Sequence, residues 1–438
     1  MERRTFLKLA ALVPGLALVG CGGSKTLLSP KDPTMLSIWH VYGEQADSPM
    51  NRLLTEFNDT VGREKGILLN VTNMTNSAAI GGQLQDAKAG KPGALDLPDL
   101  FSAHPADASA LGIENLVDWN DWFTEQELAA YVPGFVQDGI IEGKQIVFPV
   151  SKSTQLVFLN GSQYARFAAD TGAKLEDLAT WDGFFSTAAA YRQWSDGKPF
   201  CALDYPLRLV ELNALEHGAE DFYTEDGWYD FDNAVFKESW MQFARALAQG
   251  HIVVSDLYSN TQVMTGEVLS GIGSSAAILY YNDTVTYEDG TSEPMQLTVL
   301  PLPHVAGKQP RITQAGVGLC AYKTTSQKAE AAAVFVKWLT EPQRNLDFAC
   351  EAGYMPVTNG AFDKIDAHTF RSDAYRALYT ALEEATADAV VVSEQQSPDY
   401  YSHIYAFYDM LRTEQKSYGA DRDAAATAAD LWRRLGGT

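Results

Sequence analysis

Met35-Leu36-Ser37-Ile38-Trp39, then Ser48-Pro49-Met50-Asn51-Arg52-Leu53-Leu54-Thr55-Glu56-Phe57, then Ile67-Leu68-Leu69-Asn70-Val71: this succession decides the fold. The outer pieces are apolar runs of strand length. The middle piece sets Met50, Leu53, Leu54 and Phe57 at i, i+3, i+4 and i+7, one face of a helix. Ser48 is a favoured N-cap, and Pro49 suits the first helical position. A further helix is expected over 78–89, weakened by Gly81 and Gly82, and a third strand over 97–102. This alternation implies a parallel sheet with helices on both faces, joined by right-handed crossovers. Ligands of such sheets sit beyond the carboxyl ends of the strands, here 40–44, 72–77 and 103–107.

A second unit begins near residue 145. Its first strand is expected over 155–159, after Ser151–Thr154, and Thr180 caps a helix running through Tyr191 with Asp182 in its first turn. Residues 221–232 form an aromatic and acidic loop. Helices follow around 233–249 and 261–270, then a strand near 276–281. Residues 316–323 alternate as a strand. Thr325-Ser326 opens a helix with Ala332, Phe335, Val336 and Leu339 on one face, and Pro342 starts the next. The tail from Asp366 is mostly helical, with a last helix over 424–435.

The other end of the chain carries an address. Arg3 and Arg4 precede an apolar stretch from Leu9 to Val19, closed by Leu18-Val19-Gly20-Cys21. A basic start, a short apolar run and small residues at a cut site make an export signal. The run is far shorter than the roughly 20 residues that span a bilayer. Ending on cysteine, it resembles a bacterial lipobox. In that family the peptide bond before Cys21 is cut, and Cys21 is lipidated as the new N-terminus; residues 1–20 are then the signal peptide and 21–34 the tether. Arg3-Arg4-Thr5-Phe6-Leu7-Lys8 resembles a twin-arginine motif, and ordinary n-region charges of general secretion are the alternative.

The net charge of −23 repels phosphate backbones and excludes nucleic acid as a natural partner. With Cys21 lipidated, Cys201, Cys320 and Cys350 remain; their apolar flanks suit buried free thiols, with one disulfide as the alternative. No zinc spacing occurs, and no cofactor motif survives. Gly271-Ile272-Gly273-Ser274-Ser275-Ala276 imitates part of a dinucleotide fingerprint but precedes an expected strand, where that fingerprint must open a helix.

Several segments together resemble one family. Gly143-Lys144-Gln145-Ile146-Val147-Phe148-Pro149 is similar to the hinge segment of extracellular solute-binding proteins, and Thr180-Trp181-Asp182-Gly183-Phe184 to one of their helix starts. Phe335-Val336-Lys337-Trp338-Leu339 and Gly353-Tyr354-Met355-Pro356-Val357 resemble a further paired segment. The set resembles the sugar-binding class of ABC-importer receptors, the group of maltose- and glycerol-3-phosphate-binding proteins. The resemblance implies an α/β, two-lobed periplasmic-binding-protein-like fold, each lobe a mainly parallel sheet flanked by helices. One lobe would hold 35–147 and 312–355, the other 148–311 and 356–438. A hinge would close them on a carbohydrate. A monomer on the outer face of the cytoplasmic membrane would then deliver it to membrane permease subunits.

The site residues implied are Trp39, His40 and Glu44 after the first strand, His104 after the third, and Ser153 and Thr154 beside the hinge. Tyr205, Ser274, Ser275, Tyr354 and Tyr405 complete the set. Flat aromatics and short polar side chains suit a sugar, an apolar ring face edged with hydroxyls. Lys152 is read as exposed. Glycerol-phosphate relatives carry an arginine in the late segment, whereas here Tyr400-Tyr401-Ser402-His403-Ile404-Tyr405 has none and Arg412 is the nearest. A neutral mono- or oligosaccharide is therefore expected, with glycerol-3-phosphate or another sugar phosphate as the alternative. A glycoside hydrolase with paired carboxylates is the rival from another class. The densest acidic group, Asp221, Glu225, Asp226, Asp230 and Asp232, reads as a solvated loop without EF-hand spacing. No HExxH, GxSxG or Walker motif occurs.

Overall fold

The computed structural model describes residues 26–42, 48–73, 77–220, 222–225, 227–256, 258–393, 397, 400–419 and 422–436. Cys21, Glu44, Asp221 and Asp226 lie outside the described residues.

In chain order the elements used below begin with β1 (Thr34–His40), α1 (Pro49–Phe57), β2 (Ile67–Asn73), α2 (Ser77–Lys88), β3 (Leu100–Ala103), α3 (Pro105–Leu111) and α4 (Pro133–Gln137). Then come β4 (Gln155–Asn160), α5 (Gly161–Thr171), α6 (Trp181–Trp194), β5 (Cys201–Leu203), α7 (Pro206–Glu216), α8 (Ala234–Ala248), β6 (Ile252–Val254), α9 (Ser259–Met264), β7 (Ser270–Ser274), β8 (Leu297–Leu300) and β9 (Arg311–Thr313). The last are β10 (Gly318–Ala321), α10 (Ser326–Leu339), α11 (Pro342–Ala352), α12 (Asp373–Thr386), β11 (Val390–Val392), α13 (Tyr400–Glu414) and α14 (Ala424–Leu435).

The first sheet has the order β10-β3-β1-β2. β1 runs parallel to β2, from Thr34 opposite Ile67 to His40 opposite Asn73, and parallel to β3; β10 joins β3 antiparallel. Side chains alternate along β1. Leu36 and Ile38 pack with Leu54, Phe57, Phe335 and Leu339 of α1 and α10, while Trp39 packs on the other face with Ile80, Leu84 and Phe101. Ser48 caps α1 as expected, its side chain accepting the Asn51 N–H.

The second sheet, β8-β4-β7-β5-β6, is mixed: β7, β5 and β6 are parallel, and β4 is antiparallel to both β7 and β8. All of β4 is buried because helices cover both faces. Val157 and Leu159 belong to the core that holds Trp181, Phe184, Trp240 and Leu207, whereas Leu156 and Phe158 belong to the core that holds Leu378 and Leu382 of α12. Every described cysteine, Cys201, Cys320 and Cys350, is buried and free, and burial pushes the Cys201 and Cys350 thiols up to about 12.

Three expectations are corrected. The helix placed over 261–270 is α9, Ser259–Met264, and the following stretch is β7. The strand expected near 276–281 is a 3₁₀ turn, Ser275–Tyr280. Glycine is a poor strand former, which hid β7; packing demands it there, since a Cβ on Gly271 would lie 2.6 Å from the Ser259 side chain. The dinucleotide-like run is thus a strand entering a turn. Lys152, read as exposed, is 2% exposed and ion-paired with the equally buried Asp138, Nζ to Oδ2 2.5 Å.

Two crossing segments hold the sheets together. Ser153 and Ala315 exchange backbone hydrogen bonds of 2.8 and 2.7 Å, and Lys152 and Met355 do so at 3.1 and 2.6 Å. Asn345 clamps the same place, donating to the Val150 carbonyl at 2.7 Å and accepting the Val357 N–H at 2.8 Å. No helix among the described residues is long and apolar enough to cross a membrane.

Candidate ligand-binding cleft

A cavity opens where the strand ends of both sheets meet. The parallel strands deliver their carboxyl ends: Val41 and Tyr42 after β1, His104 after β3, Asp204 and Tyr205 after β5, and Ser274 closing β7. The antiparallel strands deliver their amino ends instead, Ser153 to Gln155 entering β4 and Ala315 to Val317 entering β10. Strand direction thus decides which residues reach the site.

Tyrosines dominate the wall: Tyr42, Tyr205, Tyr258, Tyr280, Tyr354 and Tyr405 all line it. Tyr354 is aimed by its neighbour. Gly353 ends α11 at φ 74°, and a Cβ there would lie 2.4 Å from Ile278, so only glycine fits both the backbone and the space. The Tyr379 hydroxyl donates to the Tyr354 carbonyl at 2.6 Å. The Tyr354 ring stands edge-on to Tyr42, 5.7 Å between centroids, and the Tyr42 hydroxyl donates to the Val317 carbonyl at 3.1 Å. Burial raises the pKa of both phenols, so they remain neutral.

Between the rings lie buried polar atoms. Thr154 Oγ1, Gln155 Oε1 and Thr313 Oγ1 have no hydrogen-bond partner among the described residues, and all three residues line the cavity. The lining also includes His104, Asp204 and Arg208. Arg208 is ion-paired with Glu211, which also accepts hydrogen bonds from Tyr229 at 2.6 Å and Tyr400 at 2.9 Å. Asp204 accepts the Ser259 N–H at 2.7 Å, and burial pushes its carboxyl up to about 6 against hydrogen bonds that lower it. Among the described residues no cluster of three His, Cys, Asp or Glu could hold a metal ion.

The model of the family described as "Bacterial extracellular solute-binding protein" matches residues 53–375. The chain belongs to this family. No curated protein sequence matches that of this solute-binding protein. Solved structures match it across nearly the whole length. It is similar to the cyclic α-maltosyl-1,6-maltose binding protein of Arthrobacter globiformis, at 18% identity and TM-score 0.65, covering 92% of this chain and 99% of that one. An ABC substrate-binding protein from Listeria monocytogenes in complex with cycloalternan aligns at 13% identity and TM-score 0.69, covering 93% and 99%. UgpB from Mycobacterium tuberculosis in complex with glycerophosphocholine aligns at 16% and 0.68, covering 92% and 98%. These likenesses establish the two-lobed α/β fold of the solute-binding protein.

Of the residues singled out in the sequence, His104, Ser153, Thr154, Tyr205, Ser274, Tyr354 and Tyr405 come together around the cavity. Trp39 and His40 do not reach it. β1 continues through His40, so both side chains point into the helix layers and the strand end falls at Val41 and Tyr42. His40 Nε2 meets Asn51 Oδ1 at 2.8 Å while its Nδ1 accepts the Tyr42 N–H at 3.2 Å, and burial lowers the imidazole to about 4. It therefore stays neutral and holds the backbone of a lining residue. Ser275 is buried behind Ser274, its N–H bonded to the Thr154 carbonyl at 2.8 Å. Sequence reasoning missed Tyr42, Gln155, Asp204, Arg208, Tyr258 and Thr313. Tyr42, Gln155 and Asp204 were one or two residues from chosen positions; Thr313 closes β9, while Arg208 in α7 and Tyr258 before α9 depend on the turns that follow β5 and β6.

Proposed function

We propose that the chain is the receptor of an ABC importer, capturing a neutral mono- or oligosaccharide between two lobes and passing it unchanged to membrane permease subunits. The observation that carries the reading is the set of buried, unpartnered acceptors Thr154 Oγ1, Gln155 Oε1 and Thr313 Oγ1 in a cleft walled by tyrosines. A buried polar atom without a partner costs about 1–3 kcal/mol. Sugar hydroxyls recover that cost while ring faces lie on phenol rings, and a site built this way rejects ligands lacking the hydroxyls. Matched structures whose ligands are named as cyclic maltosyl-maltose and cycloalternan support the same class.

A phosphate ligand has one specific observation in its favour, Arg208, a cleft guanidinium outside the late segment where sequence reasoning looked for one. Its charge is already matched by the buried Glu211, and Asp204 stands in the same wall, which favours the neutral ligand. The lobes assigned are 35–147 with 312–355 and 148–311 with 356–438, closing about the crossing segments. Cys21 is proposed as the lipid attachment that keeps a monomeric receptor beside its permease.

The test is a thermal-shift screen of the purified protein against neutral sugars and sugar phosphates. A ligand that binds only the folded form raises the midpoint by mass action. A neutral sugar should give the largest shift and be recovered intact. A phosphate ester winning the screen, or hydrolysis of the sugar, would overturn the reading.

A further inference from the structure

We propose that the buried carboxyl of Asp204 sets the charge selectivity of the cleft, admitting neutral carbohydrates and rejecting acidic ones; this rests on the carbohydrate reading above. The carboxyl is built into the wall. Asp204 directly follows β5, is 4% exposed and lines the cavity. Its Oδ1 is fixed by the Ser259 N–H at 2.7 Å. Its Oδ2 lies against Gly273 of β7, where any Cβ would sit 2.3 Å from it.

Asp204 lines the cleft, and side-chain hydrogen bonds from Ser255 and Ser259 and the charge of Arg412 favour its ionised form against burial. Cys201 of β5 and the Tyr281 hydroxyl are neutral, both held protonated by burial. Arg412 of α13 donates its Nε–H to the Ser255 carbonyl at 2.6 Å and pairs with Asp409 at 2.7 Å. Arg208 of α7 pairs with Glu211 and donates to the Ser393 carbonyl at 3.3 Å. Both guanidiniums thus have carboxylates other than Asp204 as their ion-pair partners. A neutral sugar hydroxyl can donate to the Asp204 carboxylate. A ligand carboxylate or phosphate in the same desolvated space meets a like charge, and specificity of this kind is a difference between affinities. With its pKa raised to about 6 by burial, Asp204 is ionised at pH 8 and mostly protonated at pH 5, so the rejection weakens as pH falls.

The test titrates the protein and its Asp204→Asn variant with glucose, maltose, maltotriose, glucuronate and glucose 6-phosphate at pH 8 and pH 5. Glucuronate matters most, because its carboxylate stays largely ionised at both values. In the wild type at pH 8 the tightest neutral sugar should bind at least tenfold more tightly than either acid. The ratio should narrow severalfold at pH 5, and in Asp204→Asn it should be narrow at both. A ratio unchanged by the substitution and by pH overturns the inference while leaving the carbohydrate reading intact. Failure of every sugar to bind overturns both. Should Asp204→Asn fail to fold, the wild-type pH series decides alone.

Discussion

Removing one member of the buried Lys152–Asp138 pair should be the most damaging small change in the crossing region. Lys152 and Asp138 are 2% and 1% exposed, with Nζ 2.5 Å from Oδ2. The backbone of Lys152 is hydrogen-bonded in both directions to Met355, and its neighbour Ser153 to Ala315. Lys152→Met keeps the aliphatic stem and removes the ion-pair partner of a buried carboxylate, which costs about 3–5 kcal/mol. Unfolding entropy of about 2.1 cal/mol/K per residue gives roughly 0.9 kcal/mol/K for this chain, so the midpoint should fall by about 3–5 °C. Lys152→Met combined with Asp138→Leu removes both charges and should recover most of the loss, since apolar replacements of buried pairs are often neutral or stabilising by about 1–4 kcal/mol. Calorimetric melting of the wild type, both singles and the double completes the cycle. A drop below about 1 kcal/mol in Lys152→Met, or a double variant whose loss equals the sum of the singles, would show that the pair is not a coupled unit.

Other outcomes follow from the same geometry. Tyr354→Ala should weaken carbohydrate binding by about 2 kcal/mol, roughly thirtyfold, read by titration calorimetry. Gln155→Leu should cost at least tenfold in affinity while leaving the ligand-free melting midpoint unchanged or higher, because it removes a buried acceptor that lacks a protein partner. His40 has a folded value of about 4 against 6.5 in the unfolded chain, so the unfolded state binds more protons between them. Its contribution is complete above pH 6.5 and is lost as pH falls toward 4, a span worth about 3 kcal/mol; His40→Gln should flatten the acid limb of a stability–pH curve there. Cys21→Ala should release the protein from the membrane fraction without changing ligand affinity in solution.

Periodicity and caps were enough to read the first sheet. The apolar runs of β1 and β2, the Ser48 cap and the stripe of α1 all stand where the residues put them. The second sheet was harder because β7 is written in serine and glycine, chosen for close approach to Ser259 and Asp204 rather than for strand propensity. The site was legible where a motif aims a side chain, as Gly353 does for Tyr354. It was misread where one residue of strand length matters: β1 runs on through His40, turning Trp39 and His40 into the layers and leaving Tyr42 at the edge of the cleft. Lys152 was misread because its partner, Asp138, is remote in sequence and nothing local marks the pairing.

The central claim is reversible capture of an intact carbohydrate in the tyrosine-walled cleft. Titration calorimetry of the neutral sugar that gives the largest thermal shift, with chromatography of the recovered ligand, tests it most directly. Saturable one-to-one binding of an unaltered sugar, weakened together by Tyr354→Ala and Gln155→Leu, is the predicted result. Binding indifferent to both substitutions, or a shorter sugar recovered from the cell, would contradict the account.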